Sequence, residues 1–353
     1  MVSAVSKQIK KKSGYLEFIK ILAMLMVLYN HRATYNLADL WITYDPRHII
    51  LQFLATACRI GVPLFFMCSG VVLLGKKESY KDIIKNRMVR ILIVMVICTA
   101  IKSWNHDYSA FEIVEVFFTK LNWYLYAYVD YLLMLPFLRI IAQHTDQSMA
   151  KIYIGLVCAF YTLGGVLLHF DIYTGFVDFA TIFNTSFSSY CWAVIFPLSG
   201  YFIAGVIDSV DYKELIGLLI FSGVCLAASA LFVISDLRTT GGAHMDQLRV
   251  HFIYAPSLGV FCLIEWLYRV LKLDKLLRFN RAVLTISGTT FGMFIIETHS
   301  QLINYVNHWI KNSVLGLHFS PYYQGIIAVF VQFAICFCIV YILKKLPYVK
   351  KIL

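Results

Sequence analysis

A chain of 353 residues with 60% hydrophobic and 14% charged residues and a mean hydropathy of +0.72 is excluded from the soluble globular class. Its formal charge of +11 does not mark a nucleic-acid-binding face, because the 31 Lys and Arg are scattered over short loops between apolar runs, a distribution that sets membrane orientation. The nine cysteines all fall within apolar runs and show neither CxxC nor a Cys/His pair at zinc spacing, so they read as small buried hydrophobes and no metal is expected.

Residues 1–14 form a basic N-terminal segment, expected on the cytoplasmic side. The first apolar run carries no small-residue cleavage pattern and is expected to stay as an anchor. That run, 15–36, holds Lys20 and His31 with ten residues between them, apolar except for Tyr29 and Asn30 and free of Gly and Pro. The composition predicts a helix. Eleven positions at 100° per residue return to within about 20°, so Lys20 and His31 share a face roughly 16 Å apart along the axis. An uncharged run this short cannot cross a bilayer alone, which places Lys20, His31 or both at membrane depth, where ionisable groups mark function. The plainer accounts are a snorkelling lysine paired with Glu17 one turn away, and an interfacial histidine bonded near Arg32.

Nine further apolar segments follow, at roughly 50–75, 88–104, 121–142, 151–169, 189–208, 214–235, 250–271, 286–306 and 322–346. With both termini cytoplasmic, 22 of the 31 Lys and Arg fall in inside loops and seven in outside loops, Lys20 and Arg59 lying within segments. The expectation is an all-α integral membrane protein of about ten transmembrane helices, one domain over 1–353, multi-pass in the plasma membrane among membrane lipids. In the second segment Arg59 stands about a third of the way in and needs either a polar cavity or an ion partner. Pro63 should kink that helix, and Ser69-Gly70 permit a close helix approach. The basic loop after it satisfies the positive-inside pattern, but Arg87 and Arg90, three apart at a helix mouth, also suit bidentate phosphate binding. Trp123, Glu265 and Trp266 either line a cavity or pack. His169, Asp171 and Asp178, and later His244, Asp246, Arg249 and His251, fall on the outward side with Tyr173, Phe176 and Phe179, as an acceptor site or as an interfacial belt.

In this order the stretches resemble one known family. They are Glu17 with Lys20 and His31, VPLFFMCSG at 62–70, Arg87 and Arg90, WYLYAYVDYLLMLPFLR at 123–139, and ISGTTFGMFIIETH at 286–299. The family is membrane-bound acyltransferase family 3, whose members O-acetylate bacterial cell-surface glycans. The chain departs from it in carrying Lys20 where Arg is frequent, and Phe294 and Glu297 where a Tyr-Leu-Ile-His pattern would put Tyr and His. His299 lies two residues on.

The resemblance implies an acyltransferase of the bacterial cell envelope. Acetyl-CoA would be bound from the cytoplasm by Lys20, Arg87 and Arg90. His31 and Glu297 would be catalytic, and Glu17, Asn30, Arg59, Trp123 and His299 would line the cavity. The acceptor would be an outward-facing polysaccharide or lipid-linked saccharide hydroxyl. His31 would act as general base or carry the acyl group itself. Two readings of other classes remain at this stage. One is a transporter or flippase of a polar lipid or polysaccharide, although no inverted repeat is visible. The other is an inert assembly partner of an envelope pathway.

Overall fold

The computed structural model describes residues 13–40, 47–104, 108–170, 192–207, 210–242, 244–299, 305, 308–309 and 321–352. It is all-helical, with no strand among the described residues.

The helix α1 (Ser13–Leu40) is the axis of the molecule. Leu16, Ile19, Ala23, Met24, Val27 and Leu28 recur at helical spacing and are buried. Around α1 pack α2 (Arg47–Cys58), α3 (Gly61–Leu74), α12 (Tyr254–Val270), α13 (Leu277–Ser287), α14 (Thr290–His299) and α15 (Pro321–Leu343). Helix α3 runs antiparallel to α1: a Cβ on Gly61 would stand 2.7 Å from the Ala23 carbonyl, and farther along Cys68 lies against the Leu16 carbonyl.

Three elements complete the first half. Helix α4 (Tyr80–Ile83) runs through a π turn at Ile84–Met88 into α5 (Val89–Ser103). Helix α6 (Ala110–Thr119) opens on a Ser109/Glu112 capping box and exposes Phe111, Val114 and Phe118, with Val116 buried beneath. That two-faced pattern suits a helix lying in the membrane interface. It falls in what the hydropathy pattern treats as a loop.

The second half contains α7 (Trp123–His144), α8 (Gln147–His169), α9 (Trp192–Val206), α10 (Tyr212–Thr240) and α11 (Met245–His251), and the chain closes on α16 (Pro347–Ile352). Helix α10 ends at Gly241, whose φ of 71° gives the left-handed cap that few side chains tolerate. The closest crossing is α3 on α9. A Cβ on Gly70 would lie 2.0 Å from the Pro197 carbonyl oxygen, and one on Gly200 would lie 2.3 Å from that of Met67. Two backbones touch through paired glycines, the device expected at Ser69-Gly70.

Among the described residues six helical stretches are long and apolar enough to cross a membrane, or seven when the bent pair α11–α12 counts as one span. The other predicted segments fall on α1, α5 and α9. Helix α1 is long enough at 28 residues, but Glu17, Lys20, Asn30 and His31 dilute its apolar run. Helices α5 and α9 have 15 residues each, about 22 Å of helix against a hydrocarbon core of about 30 Å. The long helices α8, α10 and α15 bury little of their apolar surface and present residues such as Leu156, Ile220, Val224 and Phe330 outward. These are the faces that lipid would cover.

Candidate active site

A cavity of about 270 Å³ lies between α1, α3, α5, α7, α13 and α14. One end is cationic. Lys20 comes from α1, Asn86 and Arg87 from the π turn, and Arg90 from the first turn of α5, with Ser287 and Gly288 closing that end. The π turn inserts a residue into the helix phase, and it is in this altered phase that the Arg87 and Arg90 pair faces one space. The waist is apolar and aromatic: Val27, Val62, Phe65, Phe291 and Phe294, with Tyr124 and Tyr128 forming one wall. The two tyrosines stand one turn apart on α7, whose start is fixed by Asn122 accepting from the Tyr124 amide at 2.9 Å. Tyr124 meets Phe294 edge-on at 5.1 Å.

The cations are held by carboxylates rather than left loose. Lys20 Nζ donates to Glu17 Oε1 at 2.8 Å, and the Ser287 hydroxyl donates to Glu17 Oε2 at 2.5 Å. Arg87 donates twice to Glu78, from Nη2 at 2.7 Å and Nε at 3.3 Å, while buried Arg139 donates to the same carboxylate at 3.0 Å. The Arg87 hydrogen bond, with that of Arg139, holds the Glu78 carboxyl down at about 2. Lys20, Arg87 and Arg139 thus share two carboxylates, and Arg90 beside them adds a further positive charge at this end. Arg90 Nε donates to the backbone carbonyl of Ile352 at 2.5 Å, so α16 rests against the same mouth. Lys344 reaches it too, donating to the Gly288 carbonyl at 2.6 Å.

His31 and Glu297 stand beyond the opposite end. Val27 and Phe294 line the cavity, and His31 and Glu297 follow them by four and three residues on the same two helices, about one turn farther on. His31 Nδ1 is 2.7 Å from Glu297 Oε1. An ionised carboxylate can only accept, so the proton belongs on Nδ1 and the basic nitrogen is Nε2. The His31 side chain is 34% exposed and that of Glu297 9%. Glu297 Oε2 has no hydrogen-bond partner among the described residues.

Of the residues singled out in the sequence, Lys20, Arg87 and Arg90 meet at one cavity, Glu17 braces Lys20, and His31 pairs with Glu297. Asn30 is half-buried beside His31. Trp123 packs edge-on against Trp192 at 5.2 Å and does not appear among the lining residues. Arg59 does not line the cavity either. It donates to Asp246 at 2.5 Å in a separate cluster. His299 ends α14, and its side chain lies outside the described residues, as do Asp171, Tyr173, Phe176, Asp178 and Phe179. His169 stacks on Phe232 at 3.9 Å, Glu265 is buried with Arg269 at 3.7 Å, and Trp266 packs on Tyr212. Glu78, Arg139, Tyr124, Tyr128 and Asn86 carried no expectation. Tyr124, Tyr128 and Arg139 nevertheless sit inside the 123–139 stretch, the one signal that pointed to them.

The acyltransferase domain family model matches residues 13–344. The chain belongs to membrane acyltransferase family 3. No curated protein and no solved structure gives a match. The family membership and the apolar helices together make this a multi-pass membrane acyltransferase. In this acyltransferase the match spans both ends of the site, from Lys20 on α1 to Glu297 on α14.

Proposed function

We propose that this acyltransferase moves an acetyl group from cytoplasmic acetyl-CoA to a hydroxyl of a cell-surface glycan or its lipid-linked precursor at the plasma membrane. Its termini would both be cytoplasmic and about ten helical segments would span, the short α5 and α9 crossing where the bilayer thins around them. One observation carries the reading: a cation-rich mouth stands at one end of an apolar-waisted cavity, and an imidazole–carboxylate pair stands about one turn beyond its other end, along the same helix α1. A long donor with phosphates at one end and a thioester at the other matches that polarity.

The residues divide the work. Lys20, Arg87 and Arg90 hold phosphate oxygens, with Glu17 and Glu78 fixing two of the cations so that their donors are pre-aimed. Val27, Val62, Phe65 and Phe294 exclude water from the pantetheine arm. Acetyl-CoA supplies an activated thioester. His31 Nε2 takes the proton of the acceptor hydroxyl, and Glu297 steadies the imidazolium through Nδ1–H. The imidazolium then returns the proton to the departing sulfur, so the base is regenerated.

The experiment is mass spectrometry of surface glycans from cells with and without this protein, joined to acetyl-CoA consumption by the purified protein. The expected result is an alkali-labile acetyl ester that disappears with the protein. Identical glycans together with no consumption of acetyl-CoA would overturn the reading and favour a path for a polar lipid or saccharide.

A further inference from the structure

The segment that follows α15 has two sides. One faces the donor mouth: Lys344 Nζ donates to the Gly288 carbonyl at 2.6 Å, the Ile352 carbonyl accepts from Arg90 Nε at 2.5 Å, and α16 packs on α5. Gly288 and Arg90 both line the cavity. The other side is open. Lys345, Leu346, Tyr348 and Lys350 are exposed, Tyr348 by 80%. They come directly after Tyr341 and Ile342, which belong to the exposed apolar face of α15, and Lys345 Nζ lies 5.6 Å from the centre of the Tyr341 ring.

The depth of this segment follows from the helix before it. An apolar span that ends in lysines and a tyrosine ends at the headgroup layer, where the tyrosine ring settles and lysine stems carry their charge to lipid phosphates. Lys344 reaches Gly288, so that layer is the one on the Lys20 side. Exposed Lys345 and Lys350 there complement anionic headgroups, each cation adding to the attraction. Arg90 couples this surface to the site. Its Nε cannot donate to the Ile352 carbonyl and to a donor phosphate at once, so whatever holds α16 away from Arg90 favours donor binding.

We propose that Lys345, Tyr348 and Lys350 form a surface for the headgroups of anionic phospholipids in the leaflet on the Lys20 side, and that headgroup binding draws α16 off Arg90 and opens the mouth to the acyl donor. The opening rests on the acyltransferase reading, because the donor is acyl-CoA only on that reading. The lipid surface stands without it.

The test has two readouts. Native mass spectrometry of the full-length protein, offered phosphatidylglycerol and phosphatidylcholine in equal amounts, reads the surface. Preferential retention of phosphatidylglycerol is expected, and Lys345→Gln and Lys350→Gln should each weaken it about fivefold, the equivalent of about 1 kcal/mol per cation at an anionic surface. Equal retention of the two lipids, or no effect of either variant, overturns the surface. A dimer that the same variants abolish would assign it to a second copy of the chain and overturn it as well. Acetyl-CoA affinity in phosphatidylcholine nanodiscs, with and without phosphatidylglycerol, reads the opening. An anionic surface also repels acetyl-CoA, so the comparison is with the chain ended after Leu346, which lacks α16. The shortened chain should bind acetyl-CoA more tightly than wild type in phosphatidylcholine alone, and phosphatidylglycerol should close that gap. A gap that persists or widens, or none in phosphatidylcholine, overturns the opening. Should the shortened chain fail to fold, Lys345→Gln decides: it should match wild type in phosphatidylcholine and fall behind it once phosphatidylglycerol is present, and equality in both overturns the opening. No acetyl-CoA binding by any variant in any disc overturns the acyltransferase reading and the opening with it, and lipid retention then judges the surface alone.

Discussion

His31 divides its two nitrogens between Glu297 and the substrate, and this division sets the predictions at the scale of single residues. His31→Gln keeps volume and a hydrogen bond to Glu297 but cannot accept a proton near neutral pH. Turnover should fall by ~10²–10⁴-fold with acyl-CoA binding retained. Glu297→Gln should cost less, since the imidazole keeps its base and loses only the fixed tautomer and the countercharge. A loss as large as that of His31→Gln would assign Glu297 a proton-transfer role of its own. Arg87→Ala and Arg90→Ala act on donor binding: each should raise the KM for acyl-CoA by an amount matching about 1.5–3 kcal/mol and leave kcat nearly unchanged. Glu78 is already held at about 2, so its stabilisation is present above the ordinary value of 4.5 and is lost only as pH falls toward 2. Any change in KM for acyl-CoA between about pH 5 and 8 must therefore come from groups other than the Arg87–Glu78–Arg139 cluster. The spacing of Lys20 and His31 was legible because one helix fixes it. The Glu78–Arg139 bond was not, because its partners are 61 residues apart in sequence and meet only after α7 has packed on α3.

At the scale of elements, the crossing of α3 and α9 and the docking of α16 carry the expectations. Gly70→Ala forces a Cβ to within 2.0 Å of the Pro197 carbonyl oxygen, a backbone atom that cannot swing aside. The thermal midpoint should drop, with an overpacking cost of about 1–3 kcal/mol or more. Gly155→Ala on α8 meets nothing within 4 Å and should leave the midpoint level or slightly raised. Equal midpoints for the two variants would show that the crossing relaxes. Ending the chain after Leu346 removes α16 and frees Arg90 Nε from the Ile352 carbonyl. The KM for acyl-CoA should fall, and a rise would mean that α16 supports the mouth instead of occupying it. The ten apolar runs are mainly helical where their residues are described, because a long apolar stretch must satisfy its backbone hydrogen bonds internally. The break at Arg59–Ile60, the π turn and the two-faced α6 stayed hidden, since each depends on neighbours that a hydropathy window cannot register.

For the whole molecule, the central proposal is a donor reached from one face and a hydroxyl from the other. The positive-inside count of Lys and Arg predicts that reporters fused after Leu353 and within 236–249 report opposite sides of the membrane; agreement between them would mean the ten-span count is wrong. The family and the all-helical architecture could be read from the sequence, because order and spacing of motifs survive without coordinates. The cavity could not, because Lys20, Arg87, Tyr124 and Phe294 come from four helices whose convergence is a matter of packing. The most direct measurement is acetyl-CoA turnover by the purified protein in sealed vesicles, with acetyl-CoA supplied on one face and acceptor on the other. Wild type and His31→Gln would be compared at matched acetyl-CoA binding. The account predicts transfer by wild type only when donor and acceptor are on opposite faces, and almost none by His31→Gln. Near-normal transfer by His31→Gln would contradict it.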